Sequence, residues 1–213
     1  MLQKIKTALI SVSDKSNLLP VLKVLKKNNI KIISSGGTYK AIQKLGYSTT
    51  EISIYTGSNE MLDGRVKTLH PKIHAGILYD RANKKHKLEM KKKNFSSIDL
   101  IIVNFYPFQK VVTSTSSAKN IIENIDIGGP TMVRAAAKNF NNVAIVTSKN
   151  DYSNLIKEID KNKGATTLTF RELMSSKAFG LTAYYDAMIA NWFNKKLNIG
   201  FPERKTIFGK RLK

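Results

Sequence analysis

Strand-like and helix-like stretches alternate through the first half of the chain with short joints between them. That alternation limits the folds open to it more than any other feature. Thr7 to Ser13 is a β-rich apolar run, followed by Asp14 and Ser16, residue types suited to helix N-caps. Leu18, Leu19, Leu22 and Leu25 then recur at helical spacing as far as Asn29. A strand is expected over 31–35, a short helix over 38–45 closed by Gly46, and a weaker strand over 48–53. Strand and helix in strict alternation call for a parallel sheet with right-handed crossovers.

Farther along, Asp99 to Tyr106 is nearly unbroken apolar sequence and reads as a buried strand, with another at Val143 to Thr147. Helices are expected at Ala118 to Glu123 and Thr131 to Phe140, and a short polar loop at 113–117. After Asn150 the pattern is mostly helical, at 152–161 and over a long segment, 170–193. There Leu173, Phe179, Leu181, Tyr184, Tyr185, Met188 and Trp192 recur at intervals of three and four. So wide an apolar surface should pack on the sheet, on a partner subunit, or on both. The expected architecture is an α/β core over 1–149 with a Rossmann-like parallel sheet flanked by helices. A helical extension follows over 150–199, and the basic stretch 200–213 reads as the start of a linker.

No apolar run approaches the roughly 18–20 residues needed to cross a bilayer, and the first residues lack a signal peptide's apolar core. A cytoplasmic protein with no membrane partner is expected. The absence of cysteine excludes disulfides, thiolate metal sites and a cysteine nucleophile. The formal charge of +21 suggests a nucleic-acid partner at first sight, but thirty of the 36 basic residues are lysines spread along the chain. They fall in runs such as Lys26-Lys27, Lys84-Lys85 and Lys91-Lys92-Lys93, without interleaved aromatic residues. A solvated, lysine-rich surface is the better reading, and its field would help gather a small phosphorylated substrate.

Three segments carry chemistry. Asp63 to His74, Asp-Gly-Arg-Val-Lys-Thr-Leu-His-Pro-Lys-Ile-His, sets Arg65, Lys67, His70, Lys72 and His74 beside one acid and holds two of the chain's three histidines. Ser34-Ser35-Gly36-Gly37-Thr38 joins a strand to a helix. It is either a tight turn with a threonine cap or an anion cradle, without the lysine of a nucleoside-triphosphate loop. Ser11, Ser13 and Lys15 end the neighbouring strand and can converge on the same anion. In Glu123 to Asn139, Gly128-Gly129-Pro130 builds another helix N-terminus. Asp126 is there a cap or a reacting group, Lys138 a surface or a site residue, and Tyr106 a packing aromatic or a site residue.

Together, Ser11 to Lys15, Ser34 to Thr38, Glu60 to His74, Asp99 to Phe108 and Glu123 to Asn139 resemble, in order and over nearly the whole chain, one family. It is the methylglyoxal-synthase-like inosine-monophosphate cyclohydrolase domain of bifunctional purine-biosynthesis proteins. Ser35 departs from the threonine usual there but keeps a hydroxyl. The family's formyltransferase domain, covalently linked in the full-length product, has no counterpart here.

The resemblance implies ring closure of a purine ribonucleotide precursor without metal or organic cofactor, by a homodimer. It implies that Lys67 and Tyr106 donate to the formyl oxygen while Asp126, oriented by Lys138, handles protons. Ser11, Ser13, Lys15, Ser34, Ser35, Gly36, Gly37, Thr38, Arg65, Thr68, Asn104, Gly128 and Gly129 would hold phosphate, ribose and base. It leaves His70 and His74 as structural supports. Two rivals share the phosphate turn. A methylglyoxal-synthase-type lyase needs Asp and His for enolisation, and a non-catalytic ligand-sensing module has no use for four reacting groups.

Overall fold

The apolar runs of the first half become the buried strands of a parallel sheet. The computed structural model describes residues 1–115, 117–207 and 209. Seven strands are present among them: β1 (Leu2–Lys4), β2 (Thr7–Val12), β3 (Lys31–Ser34), β4 (Thr50–Glu51), β5 (Leu100–Asn104), β6 (Ala144–Val146) and β7 (Ala165–Thr167). The helices are α1 (Leu18–Lys27), α2 (Gly36–Lys44), α3 (Ile52–Thr56), α4 (Pro71–Leu78), α5 (Lys84–Lys92), α6 (Phe108–Ser114), α7 (Ala118–Glu123), α8 (Gly128–Lys138), α9 (Tyr152–Lys161) and α10 (Leu168–Lys196).

The main sheet has the order β4-β3-β2-β5-β6, with every neighbouring pair parallel. From β2 the chain winds outward through β3 to β4, then returns to the other side of β2 as β5 and β6. The direction of winding thus reverses between β2 and β5, and the crevice outside their carboxyl ends is where open α/β sheets place ligands. Helices on both faces bury the strands, so Leu9, Ile10, Ile101 and Ile145 have no exposure at all. This is the Rossmann-like fold expected from the alternation.

Several boundaries differ from expectation for local reasons. The 48–53 strand is only two residues long, because the chain turns helical at Ile52 and buries that side chain. Asp14 does not cap α1, which starts after a left-handed Asn17 with no side-chain cap. Instead its Oδ1 accepts from the Ser16 N–H and hydroxyl at 2.9 and 2.6 Å, and its Oδ2 meets Lys149 Nζ at 2.9 Å. α8 begins three residues early, at Gly128, and α10 begins at Leu168, capped by the Thr167 hydroxyl. β1 pairs antiparallel with β7, a strip too short to leave a periodic signal. Thr113 and Ser114 close α6 rather than opening a loop, while Ser116, Phe208 and 210–213 lie outside the described residues.

α10 is fastened to the core by more than its apolar face, which packs on α8 and β6. Arg171 is fully buried and donates to the carbonyls of Phe140, Asn141 and Thr166 at 2.7, 3.1 and 2.5 Å. At the amino edge of the sheet, buried Asp99 accepts from the N–H groups of Lys6 and Thr7 and pairs with Arg81 at 2.8 Å. The lysine runs at 26–27, 84–85 and 91–93 are exposed. Among the described residues no helix is long and apolar enough to cross a membrane.

Candidate active site

The turn from β3 into α2 forms one wall of the crevice. Ser35 is extended and Gly36 has φ +47°, a conformation that favours glycine. A methyl group on Gly36 would lie 3.1 Å from Lys67 Nζ, and one on Gly37 would lie 3.7 Å from Lys15 Nζ. Two ammonium groups therefore hang over the start of α2, whose first N–H groups have no intrahelical acceptor. Cations, free N–H donors and the helix dipole together favour a phosphate dianion. Ser11 and Ser35 flank the turn with hydroxyls 2.9 Å apart.

Not every hydroxyl of this motif lines the opening. Thr38 is buried, and its Oγ1 accepts from the Val12 N–H at 3.0 Å and donates to the Val12 carbonyl at 3.1 Å. Ser34 is fully buried, with its Oγ 2.8 Å from that of Thr49 on the β4 side. Both build the cradle from behind. Asn104, at the end of β5, stitches the loop after β2 in place. Its Oδ1 accepts from the Ser13 N–H at 2.7 Å, the Ser13 hydroxyl at 3.0 Å and the Asp14 N–H at 3.1 Å. Its Nδ2 donates to the Asp14 carbonyl at 3.1 Å, and Lys15 Nζ leans on the Ser13 carbonyl at 3.1 Å.

The 60–74 segment enters as a hairpin. Met61 and Val66 exchange N–H···O bonds of 3.0 and 3.2 Å around Leu62, Asp63 and Gly64, all left-handed at φ 54°, 54° and 87°. Lys67 pairs with Glu60 across it and holds that carboxyl below its usual range. Arg65 forks onto Glu123 of α7, with Nε 3.2 Å from Oε1 and Nη2 on Oε2. Thr68 is buried against Gly128, where an added methyl would overlap its hydroxyl. His70 is the N-cap of α4, its Nδ1 accepting from the Lys72 N–H at 3.1 Å ahead of Pro71. His74 bonds the Thr68 carbonyl, and burial lowers its pKa, so it is a neutral prop.

Asp126 lies in the joint between α7 and α8, two residues before the Gly128 that packs on Thr68. Its carboxylate accepts from the Gly129 N–H at 2.9 Å and from the Tyr106 N–H. Those donors favour the charged form, yet burial outweighs them and raises the pKa above 3.8. Gly129 is required here, since a methyl on it would run into the Asp126 carboxylate. Half of the Tyr106 surface is exposed at the rim.

Lys138 is not part of this cluster. It is exposed at the far end of α8, about 15 Å of helix rise from Gly128, beyond the reach of a lysine side chain. The expected orientation of Asp126 by Lys138 is thus replaced by the two backbone donors. Sequence reading missed the role of Tyr185. This α10 side chain is 2% exposed, and its hydroxyl accepts from the Asp126 N–H at 2.8 Å. The only hint was a tyrosine at an apolar helical position, whose hydroxyl needs a buried partner.

A family model described as MGS-like domain matches residues 17–131, and one described as AICARFT/IMPCHase bienzyme matches residues 136–213. The bifunctional purine biosynthesis protein PurH of Bradyrhizobium diazoefficiens is 47% identical over 98% of this chain and 39% of its own length. PurH of Oceanobacillus iheyensis is also 47% identical, over 95% of this chain and 39% of its own. The chain thus spans about two-fifths of the length of these curated relatives. The crystal structure of ForH superimposes with a TM-score of 0.79 at 30% identity, covering 89% of this chain and 99% of ForH.

Proposed function

Since this chain belongs to the bifunctional purine-biosynthesis family as its MGS-like domain, we propose that it closes the purine ring as an inosine-monophosphate cyclohydrolase. The substrate is formamido-imidazole-carboxamide ribotide, and the products are inosine monophosphate and water. The observation that carries this reading is the 60–74 segment, which sets Lys67 Nζ over Gly36 at the start of α2 and, one residue on, packs Thr68 against Gly128 at the start of α8, beside the half-buried Asp126 carboxylate whose pKa burial raises.

The phosphate sits on the Gly36 and Gly37 N–H groups beneath Lys15, with Ser11 and Ser35 beside it. This places the base between Lys67 on one side and Tyr106 and Asp126 on the other. The carboxamide nitrogen attacks the formyl carbon of the same molecule and gives a proton to the Asp126 carboxylate. The formyl oxygen takes a proton from Lys67 or the Tyr106 hydroxyl. The protonated Asp126 then gives its proton to the departing hydroxyl of the carbinolamine, which leaves as water, while the formamido nitrogen returns its proton to the Lys67 or Tyr106 donor; the ring is closed and both groups are restored. Because both partners lie in one molecule, holding them in a near-attack geometry supplies much of the acceleration, and the fixed donors stabilise the oxygen that gains charge.

With this reading go a cytoplasmic setting and a homodimer, for which the exposed Leu173 and Phe179 of α10 are suitable contact residues. A linked formyltransferase domain in the longer product belongs to the same proposal. Incubation of the purified chain with formamido-imidazole-carboxamide ribotide should give inosine monophosphate, followed by ultraviolet absorbance and chromatography. Unchanged substrate would remove the reading.

A further inference from the structure

We infer that Tyr185, on the helical extension, is the positioning residue that sets Asp126 and Tyr106 relative to each other; this rests on the ring-closure reading. Asp126 lies in a joint between two helices, where its carboxylate and its main chain need separate anchors. The carboxylate is held by the Tyr106 and Gly129 N–H groups. Its own N–H is held by the Tyr185 hydroxyl at 2.8 Å, a contact reaching across 59 residues of sequence.

The Tyr185 ring does a second job. It packs on Phe105 with centroids 5.0 Å apart and meets Phe108 edge-on at 6.1 Å. These residues bracket Tyr106, so one side chain fixes the exit of β5 through its ring and the Asp126 joint through its hydroxyl. Tyr185 touches neither the crevice nor the substrate pose above, and at 2% exposure it acts only through its neighbours. Its own pKa is raised, first by burial, which keeps the hydroxyl protonated and neutral at working pH. α10 is thereby part of the active-site scaffold, and its packing on α8 and β6 brings this tyrosine to the joint.

Tyr185→Phe keeps the ring contacts and removes only the hydroxyl. In the intact chain, kcat for ring closure should fall about tenfold while KM stays within about twofold, the split expected when the reacting groups and not the phosphate cradle are displaced. Amide hydrogen exchange at Asp126 should quicken in the variant, while exchange in β2 and β3 stays as in the parent. Unchanged kcat would overturn the inference, and so would an equal loss in kcat and 1/KM accompanied by faster exchange throughout the sheet. If the parent chain itself does not close the ring, the ring-closure reading fails. In that case the exchange at Asp126 still decides whether Tyr185 holds the joint, and unaltered exchange there overturns that as well.

Discussion

Two helices, α2 and α8, are both opened by a pair of glycines, and their N-termini are finished in opposite ways. At α2, Gly36 and Gly37 lie beside the ammonium groups of Lys67 and Lys15. At α8, Gly129 donates to Asp126 and Gly128 is packed against Thr68. The same local device, a dipole end with exposed donors, is left ready for an outside anion in one case and is occupied by the chain's own acid in the other. In the proposed ring closure, α2 binds and α8 handles protons, with Lys67 beside Gly36 and the adjoining Thr68 against Gly128.

The contrast is tested most severely at Lys67, which serves both sides in the proposed reaction. Lys67→Ala should lower kcat about a thousandfold, the scale of a lost proton donor, as measured by single-turnover formation of inosine monophosphate. Activity near that of the parent would show that the lysine merely pairs with Glu60. Lys15→Ala should act on the binding side alone. We expect KM to rise about tenfold, the size of one charge-assisted hydrogen bond, with kcat nearly kept. A fall in kcat without a change in KM would erase the division between the two helix ends.

The smallest effect sharpens the α8 side. Asp126 must be ionised to accept a proton, and burial raises its pKa above 3.8. As pH falls, kcat/KM should therefore drop through a limb centred above 3.8, and a limb at or below that value would remove Asp126 as the base. The linkage has the matching sign, since the folded chain holds this proton more tightly than the unfolded one. The ionised group thus costs stability once pH exceeds its folded pKa, and that cost disappears as pH falls below 3.8.

The strands were readable because both faces of a parallel sheet are covered and the runs become continuously apolar, as at Leu100 to Val103. The turn from β3 into α2 was readable because glycines at a strand-to-helix joint have a backbone reason to be there, as Gly36 does at φ +47°. Side-chain direction was not readable. Ser34, Ser35 and Thr38 look equivalent in a motif, yet Thr38 turns onto Val12 and Ser34 onto Thr49, while Ser35 meets Ser11. Lys138 shows a related failure, in which residues of one continuous motif are carried to opposite ends of a helix by its rise. Tyr185 and Arg171 sit on an extension whose apolar pattern explains its packing and hides the two polar anchors within it.

The Thr38 hydroxyl, bonded to both the N–H and the carbonyl of Val12, has a consequence for binding thermodynamics. With both contacts directed to one residue, α2 cannot slide along β2 or tilt away from it without losing two buried hydrogen bonds at once. The turn at the start of α2 is thus tied to the end of β2. Its ordering entropy is spent when the chain folds, so under the proposed function an arriving ribotide would meet a seat with little left to freeze.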